Sequence, residues 1–338
     1  MMTYEEAREF MEEMSHSGIC LGTDSVVTLL RELGNPQDKL RFVHIAGTNG
    51  KGSTLSFISN ILKSAGYTVG RYSSPRVFAY EEFVQVNGEN IEKDAFVRIC
   101  SHMKETVERI DAKGLPHPSL FEIETAIGFL YFVEKKCDIV VLECGMGGRD
   151  DATNVVNDVL CHVIAPIGLD HMGFLGNTIE EIAEVKAGIV RNETPVCIGT
   201  QEDSVKEVFK KVCAVRNNEL IMTDHAAITV YDDKRMDTDG TPMICFDYEN
   251  IADIRIHMVG RYQIMNACLA IDAAKSLNGQ GLVVSDEAIK EGLSMAKWPG
   301  RFDTICYEPQ VIVDGAHNPH GMVQLKNSLT YYFPGKKL

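Results

Sequence analysis

The feature that most constrains this chain is a short apolar run, FVHIA at residues 42–46, leading straight into GTNGKGS and then into a helical pattern from Lys51 to about Ala65, stopped at Gly66. A short apolar run closed by glycine reads as a buried strand. Strand, glycine-rich turn and helix in that order form a phosphate loop. Glycines let the backbone curl so that successive N–H groups point inward at phosphate oxygens. The helix N-terminus adds a partial positive charge. Gly47, Thr48, Asn49, Gly50, Lys51, Gly52, Ser53 and Thr54 are therefore the candidate nucleotide-binding residues. Lys51 is placed to reach the outer phosphates, and Ser53 or Thr54 offers a hydroxyl to Mg²⁺. The strict pattern G-x-x-x-x-G-K-[ST] is not met. Ile45 stands at its first glycine and Gly52 directly follows Lys51. A glycine-rich turn without a ligand is the plain alternative.

The rest of the chain repeats the alternation. Residues 3–33 read as two amphipathic helices. Strands are predicted at Tyr67–Tyr72, Cys137–Leu142, Val159–Ile164 and Pro195–Ile198. Helices are predicted near 92–112, 120–136, 178–190 and 203–215. Strands alternating with helices predict an α/β fold with a mostly parallel, P-loop-type sheet and flanking helices. From about residue 219 the texture changes. Leu220–Met222, Ala227–Tyr231, Met243–Tyr248 and Ile251–Met258 read as a small antiparallel patch, with DDKRMDTDG as a turn cluster. A helix from about Gln263 to Leu277 follows. Trp298-Pro299-Gly300-Arg301 reads as a linker, Val311–Val313 as a new strand, and DGAHNPHG leads into one more helix. Residues 1–297 are thus expected to form an ATP-binding central domain. Residues 298–338 are expected to begin a second α/β domain, as a strand and helix without partner strands cannot stand alone. The expectation at this point is a chain cut from a longer protein.

Composition narrows the chemistry. With 33 Lys+Arg against 48 Asp+Glu the net charge is −15, which argues against a general nucleic-acid binder. Any anionic ligand must be held by local cations and backbone amides. The apolar stretches are short of the roughly 18–20 residues a membrane span needs, and the acidic start MMTYEEAREFMEEM does not read as a signal peptide. Ten scattered cysteines without a C-x-x-C pair read as reduced core residues of a cytoplasmic protein.

An ATP site needs oxygen ligands for Mg²⁺ near the phosphate loop, at the C-terminal ends of parallel strands. Glu143 ends CDIVVLE and opens ECGMGGRDDATN, and Asp170-His171 follow VLCHVIAPIG. A carboxylate beside a glycine-rich turn suits Mg²⁺. His171 taken alone reads at least as well as a surface or helix-capping residue, and Asp170 as a group that orients its ring.

GTNGKGS, SSP (73–75), ECGMGGRDDATN, LDHMGFLGNTIEEIAEVKAGI, GRYQIMNA, WPGRF and DGAHNPHG occur in this order over about residues 18–325. Together they resemble the folylpolyglutamate synthase and dihydrofolate synthase family of the Mur ligase superfamily. The resemblance implies magnesium ligation by Ser53, Ser73 or Ser74, Glu143 and His171. It also implies a carbamylated Lys186 that serves a second Mg²⁺; an ordinary surface lysine is the alternative. It places Asn266, Arg301, Asp314 and His317 at ATP. Catalytic roles fall to Lys51, His171 and Lys186, with His171 mainly a metal ligand. The implied reaction joins L-glutamate to folate or dihydropteroate through an acyl phosphate made from ATP, in a monomeric enzyme. The second domain is implied to be Rossmann-like.

Three positions depart from the family pattern: Tyr262 and Arg76 stand where histidine is usual, and Glu82 where arginine is common. They bear on the folate side rather than the nucleotide site. The competing readings are a ligase acting on a UDP-muramyl substrate and a nucleotide-binding fragment without activity. Against the first, only a short segment precedes the phosphate loop.

Overall fold

A computed structural model describes residues 2–16, 18, 22–236 and 242–335. Helices α1 (Tyr4–Ser15) and α2 (Asp24–Glu32) precede strand β1 (Phe42–Ala46), helix α3 (Lys51–Ser64) and strand β2 (Val69–Tyr72). A short hairpin follows, β3 (Val84–Val86) and β4 (Glu89–Asn90), then α4 (Lys93–Ala112), α5 (Leu120–Glu134) and β5 (Ile139–Glu143). Next come β6 (Val159–Ile164), α6 (Ile179–Ala187), β7 (Val196–Ile198), α7 (Asp203–Arg216) and β8 (Leu220–Met222). The main sheet runs β4-β3-β2-β5-β1-β6-β7-β8. Its six strands from β2 to β8 are parallel, and the β3/β4 hairpin closes one edge antiparallel. Every residue of β1, β5 and β6 is buried, as strands covered by helices on both faces must be.

The antiparallel patch starts later than expected, at Ile228 and not at Leu220. Leu220–Met222 is β8, the last parallel strand of the main sheet, with Cys197 beside Ile221. The reason is topological: a helical crossover, α7, returns the chain in the direction of β7. The antiparallel sheet consists of β9 (Ile228–Met236), β10 (Pro242–Tyr248) and β11 (Ile251–Ile256). Part of the expected turn cluster is therefore strand: β9 continues to Met236, and residues 237–241 lie outside the described residues.

Helix α8 (Arg261–Leu277) and helix α9 (Asp286–Met295), which the sequence reading omitted, pack with β9–β11 and α3 on one face of the sheet. Helices α1, α2, α4 and α5 cover the other face around Phe10, Leu29, Phe96 and Phe129. The chain then forms β12 (Asp303–Tyr307) paired antiparallel with β13 (Gln310–Val313), and α10 (Pro319–Tyr332). The expected strand after the linker is thus one arm of a two-stranded ribbon. Trp298, read as linker, is partly buried against the core. The cysteines among the described residues are free thiols, mostly buried. Among those residues no helix is long and apolar enough to cross a membrane.

α9 crosses α3 at bare backbone. A Cβ on Gly292 would lie 2.3 Å from the Ile61 Cα. Gly292→Val should therefore lower the unfolding free energy by roughly 1–3 kcal/mol through overpacking. Urea denaturation measures this; an unchanged midpoint would show that the two helices separate freely.

Candidate active site

The ends of β1, β5 and β6 are level: Ile45 pairs with both Glu143 and Val163, and Ala46 with Ile164. The segments after these strands therefore open at one edge of the sheet, where α/β folds bind ligands. A cavity of about 1540 Å³ lies there. It is lined by Thr48–Ser53, Ser74, Glu143, Asp170, His171, Asn266, Arg301, Asp314 and His317. The structure thus gathers most of the residues singled out above at one cleft. Gly47, Thr54, Ser73 and Lys186 do not line it. Of the serine and threonine alternatives, Ser53 and Ser74 face the cavity; Thr54 and Ser73 are buried beside it.

Each glycine of the loop has its own reason. Gly47 (φ +149°) would carry a Cβ 2.7 Å from that of Ala165. Gly50 (φ +88°) would carry one 2.5 Å from Asn266 Oδ1, and Gly52 one 2.5 Å from the Trp298 indole. Gly52, the departure from the common phosphate-loop pattern, is therefore required by Trp298. Two of the loop amides expected to face phosphate are already bonded within the protein. The N–H groups of Thr48 and Asn49 donate to the Pro166 carbonyl at 3.0 and 3.1 Å and hold the loop on the strand-β6 exit. Those of Gly50–Ser53 precede the first intrahelical bond, from Thr54 N–H to Gly50 C=O at 2.9 Å. They form the N-terminal end of α3 at the cavity.

Charge is arranged around the same loop. Lys51 Nζ lies 3.9 Å from Glu143 Oε1. Glu143 is buried, and its Oε2 has no hydrogen-bond partner. Burial pushes its carboxyl up to about 7, against the opposing pull of Lys51, the Ser74 N–H, Arg301 and Arg71. Lys186 is buried and donates to the Gly47 carbonyl at 2.9 Å. Burial first, then the charge of Lys51, brings its amine down to about 7. Arg71, which sequence reading missed, lies 5.1 Å from the Trp298 ring centroid, and burial lowers it to about 10. Its place in a strand of mixed composition gave no signal.

The remaining candidates stand at the rim. His171 lines the cavity with its side chain half exposed, in a left-handed backbone conformation (φ +48°), and its Nε2 is 3.9 Å from Asp170 Oδ2. Asp170 Oδ1 accepts the His171 N–H at 2.9 Å, so Asp170 shapes this turn. Asp314 accepts N–H bonds from Phe302 and Ala316, both at 2.8 Å. Arg301 packs directly over Gly315, and His317 Nδ1 is 2.8 Å from the Gly315 carbonyl. Asn318 and Asn49 exchange amide hydrogen bonds at 3.0 and 3.3 Å, tying the start of α10 to the phosphate loop. Asn318 was not singled out, although an Asn before Pro is a helix-start signal.

Residues 45–274 match the family described as the Mur ligase middle domain. The chain is 38% identical over 337 residues to the dihydrofolate synthase/folylpolyglutamate synthase of Bacillus subtilis, covering 99% of this chain and 78% of that protein. It is 33% identical to the folylpolyglutamate synthase of Lacticaseibacillus casei, covering 91% and 72%. This chain belongs to the folylpolyglutamate synthase/dihydrofolate synthase family of Mur ligases. The fold agrees. A solved structure described as an "FPGS-AMPPCP-folate complex" superposes with a TM-score of 0.90 at 31% identity, over 98% of this chain and 81% of that one.

Within the family pattern the three departures have partners inside this chain. Arg76 forms an ion pair with Glu124 and lies 4.1 Å from the Tyr80 ring centroid, while Tyr80 Oη donates to Glu124 at 3.1 Å. Glu82 accepts the backbone N–H groups of Val77, Phe78 and Ala79. The Tyr262 hydroxyl is raised by burial first and then by the nearby Asp314 carboxylate.

The Glu143 shift has a measurable consequence. Its folded pKa, about 7, exceeds its ordinary value of 4.5. Between those limits the folded state holds more protons, so stability falls as pH rises, by up to about 3 kcal/mol. Lys186 acts in a separate window, above pH 7, because its folded pKa lies below its ordinary value. Glu143→Gln should flatten the decline between pH 5 and 7. Urea melts of the ligand-free protein at both pH values test this, and equal slopes for the two proteins would refute the shift.

Proposed function

We propose that this chain is an ATP-dependent carboxylate–amine ligase that adds L-glutamate to a folate, and to dihydropteroate where that acid is supplied. The observation that carries the reading is Lys51 beside the buried Glu143 at the mouth of a phosphate loop, in a cavity large enough for a nucleotide and a second acid. The names of the relatives, which join both synthase activities in one protein, support it. So do the folate and the nucleotide analogue named for the complex that this fold resembles.

A carboxylate is a poor acylating agent, so it must first be activated. The substrate carboxylate attacks the γ-phosphorus of ATP, forming an acyl phosphate and releasing ADP. The glutamate amine then attacks the acyl carbon, and inorganic phosphate leaves from the tetrahedral intermediate. Two anions must meet in the first step. Lys51 and the α3 amides offset their repulsion and hold them in line. The donor set fits one or two Mg²⁺. Glu143 offers an unpartnered carboxylate oxygen, Ser53 and Ser74 offer hydroxyls at the cavity, and His171 is within the same wall. Among the described residues no three His, Cys, Asp or Glu side chains converge; Mg²⁺ needs few protein ligands because it keeps several waters and phosphate oxygens. Bound there, Mg²⁺ would supply neutralisation of phosphate charge. Lys186 is the proposed carbamylation site, since its buried amine is partly neutral near pH 7. Asn266, Arg301, Asp314 and His317 are proposed to contact ATP. A monomeric, cytoplasmic enzyme is part of the same proposal.

ADP release measured with ATP alone, and with folate plus glutamate, tests the reading. Release that depends on both acids is expected. Binding of ATP without turnover would favour the inactive fragment, and turnover only with a UDP-muramyl acid would favour that branch of the Mur ligases. Lys51→Ala should reduce folate-dependent release by about 10²-fold or more; an unchanged rate would remove Lys51 from the chemistry.

A further inference from the structure

Gln263 sits in the first turn of α8, fully buried, and neither the motif reading nor the proposed chemistry gives it a task. Its Nε2 lies 3.1 Å from Ser53 Oγ, and its Oε1 accepts from Asn266 Nδ2 at 2.9 Å. A carboxamide can present either end to a neighbour, and here the neighbours decide. Asn266 presents Oδ1 to the bare Cα of Gly50, and a C–H suits an oxygen better than it suits an N–H₂. Its amide group therefore points at Gln263 and takes the Gln263 oxygen. The Gln263 N–H₂ is left to face Ser53.

The consequence falls on the serine hydroxyl, which has one proton and two lone pairs. Gln263 donates to one lone pair. It thereby holds the oxygen against α8 and leaves the other lone pair and the proton for the cavity that Ser53 lines. A serine in a helix without such a donor is free to rotate and to bond the carbonyl one turn back.

We propose that Gln263 is a positioning residue that aims a Ser53 lone pair at the divalent cation accompanying the nucleotide, with Asn266 setting the direction of the Gln263 amide. The proposal rests on the reading of the cavity as a Mg²⁺–nucleotide site.

Its test uses the chain's single tryptophan. Trp298 lies against Gly52, next to Ser53, so its fluorescence reports ligands of the loop. The full chain is titrated with a non-hydrolysable ATP analogue in excess Mg²⁺ and again in EDTA. The ratio of the two dissociation constants measures metal coupling. Gln263→Met keeps the length and loses the donor. It should lower that ratio about tenfold, as loss of a group that orients a metal ligand does, with the affinity in EDTA changed less than about twofold. Gln263→Leu, which also loses the donor and brings no charge toward the cation, should lower the ratio as far and serves if the methionine variant does not fold. In a Ser53→Ala background the Gln263 substitutions should have no further effect on the ratio. Equal weakening in Mg²⁺ and in EDTA would reduce Gln263 to a structural role and overturn the proposal. Wild-type protein that binds no analogue, or binds it with no metal coupling, would overturn the cavity assignment as well, so the two failures are distinguishable.

Discussion

Residues from three distant parts of the chain rest on the bare α-carbons of the phosphate loop. Ala165 meets Gly47, Asn266 meets Gly50 and Trp298 meets Gly52. A side chain at any of the three glycines would collide with backbone or with a packed side chain. The loop is thus fixed from the β6 exit, from the start of α8 and from the segment leading to β12. Contacts of this kind transmit small displacements because packed interiors have little free volume. The whole cleft depends on them: α8 supplies Gln263 and Asn266 to the loop, and the β6 exit supplies the carbonyl that takes two loop amides.

Charge explains the rest of the cleft. The chain carries a net −15, yet Lys51, Arg71 and Arg301 all act on the buried Glu143 carboxyl, and Lys186 lies beside the same loop. Burial acts on both signs. It moves the Glu143 carboxyl and the Lys186 amine in opposite directions to about 7. An ion pair alone would have widened the interval between them. Here desolvation is the larger effect, and a carboxylate oxygen is left without a partner inside the protein. The proposed Mg²⁺–nucleotide ligand would supply that missing partner.

The C-terminal segment belongs to this cleft. Asn318 exchanges hydrogen bonds with Asn49, and Arg301 packs against Gly315. The two-stranded ribbon and α10 are therefore attached to the loop by side-chain amides and close packing, with Trp298 anchoring the segment that leads to them.

The parallel architecture was legible because it is written in local pattern. Buried strands show as uninterrupted apolar runs such as FVHIA, and helix ends show as caps and glycines. The phosphate loop and Glu143 were legible for the same reason, as each follows or ends a strand. Other features were decided by tertiary contact. The direction of β8 depends on what lies beside it, and α9 is packed on α3 at a bare glycine. Gly52 looked like a departure until Trp298 was found above it. Gln263 stood inside the GRYQIMNA motif with no role of its own. Its meaning comes from Ser53, 210 positions away in the chain. The sequence by itself determined most of the strands and helices and the glycine-rich turn between β1 and α3, since these follow from neighbours along the backbone. Only the tertiary structure decided which side chains hold the loop still and that one Glu143 oxygen is left without a hydrogen-bond partner, because hydrogen bonding and desolvation are set by neighbours in space.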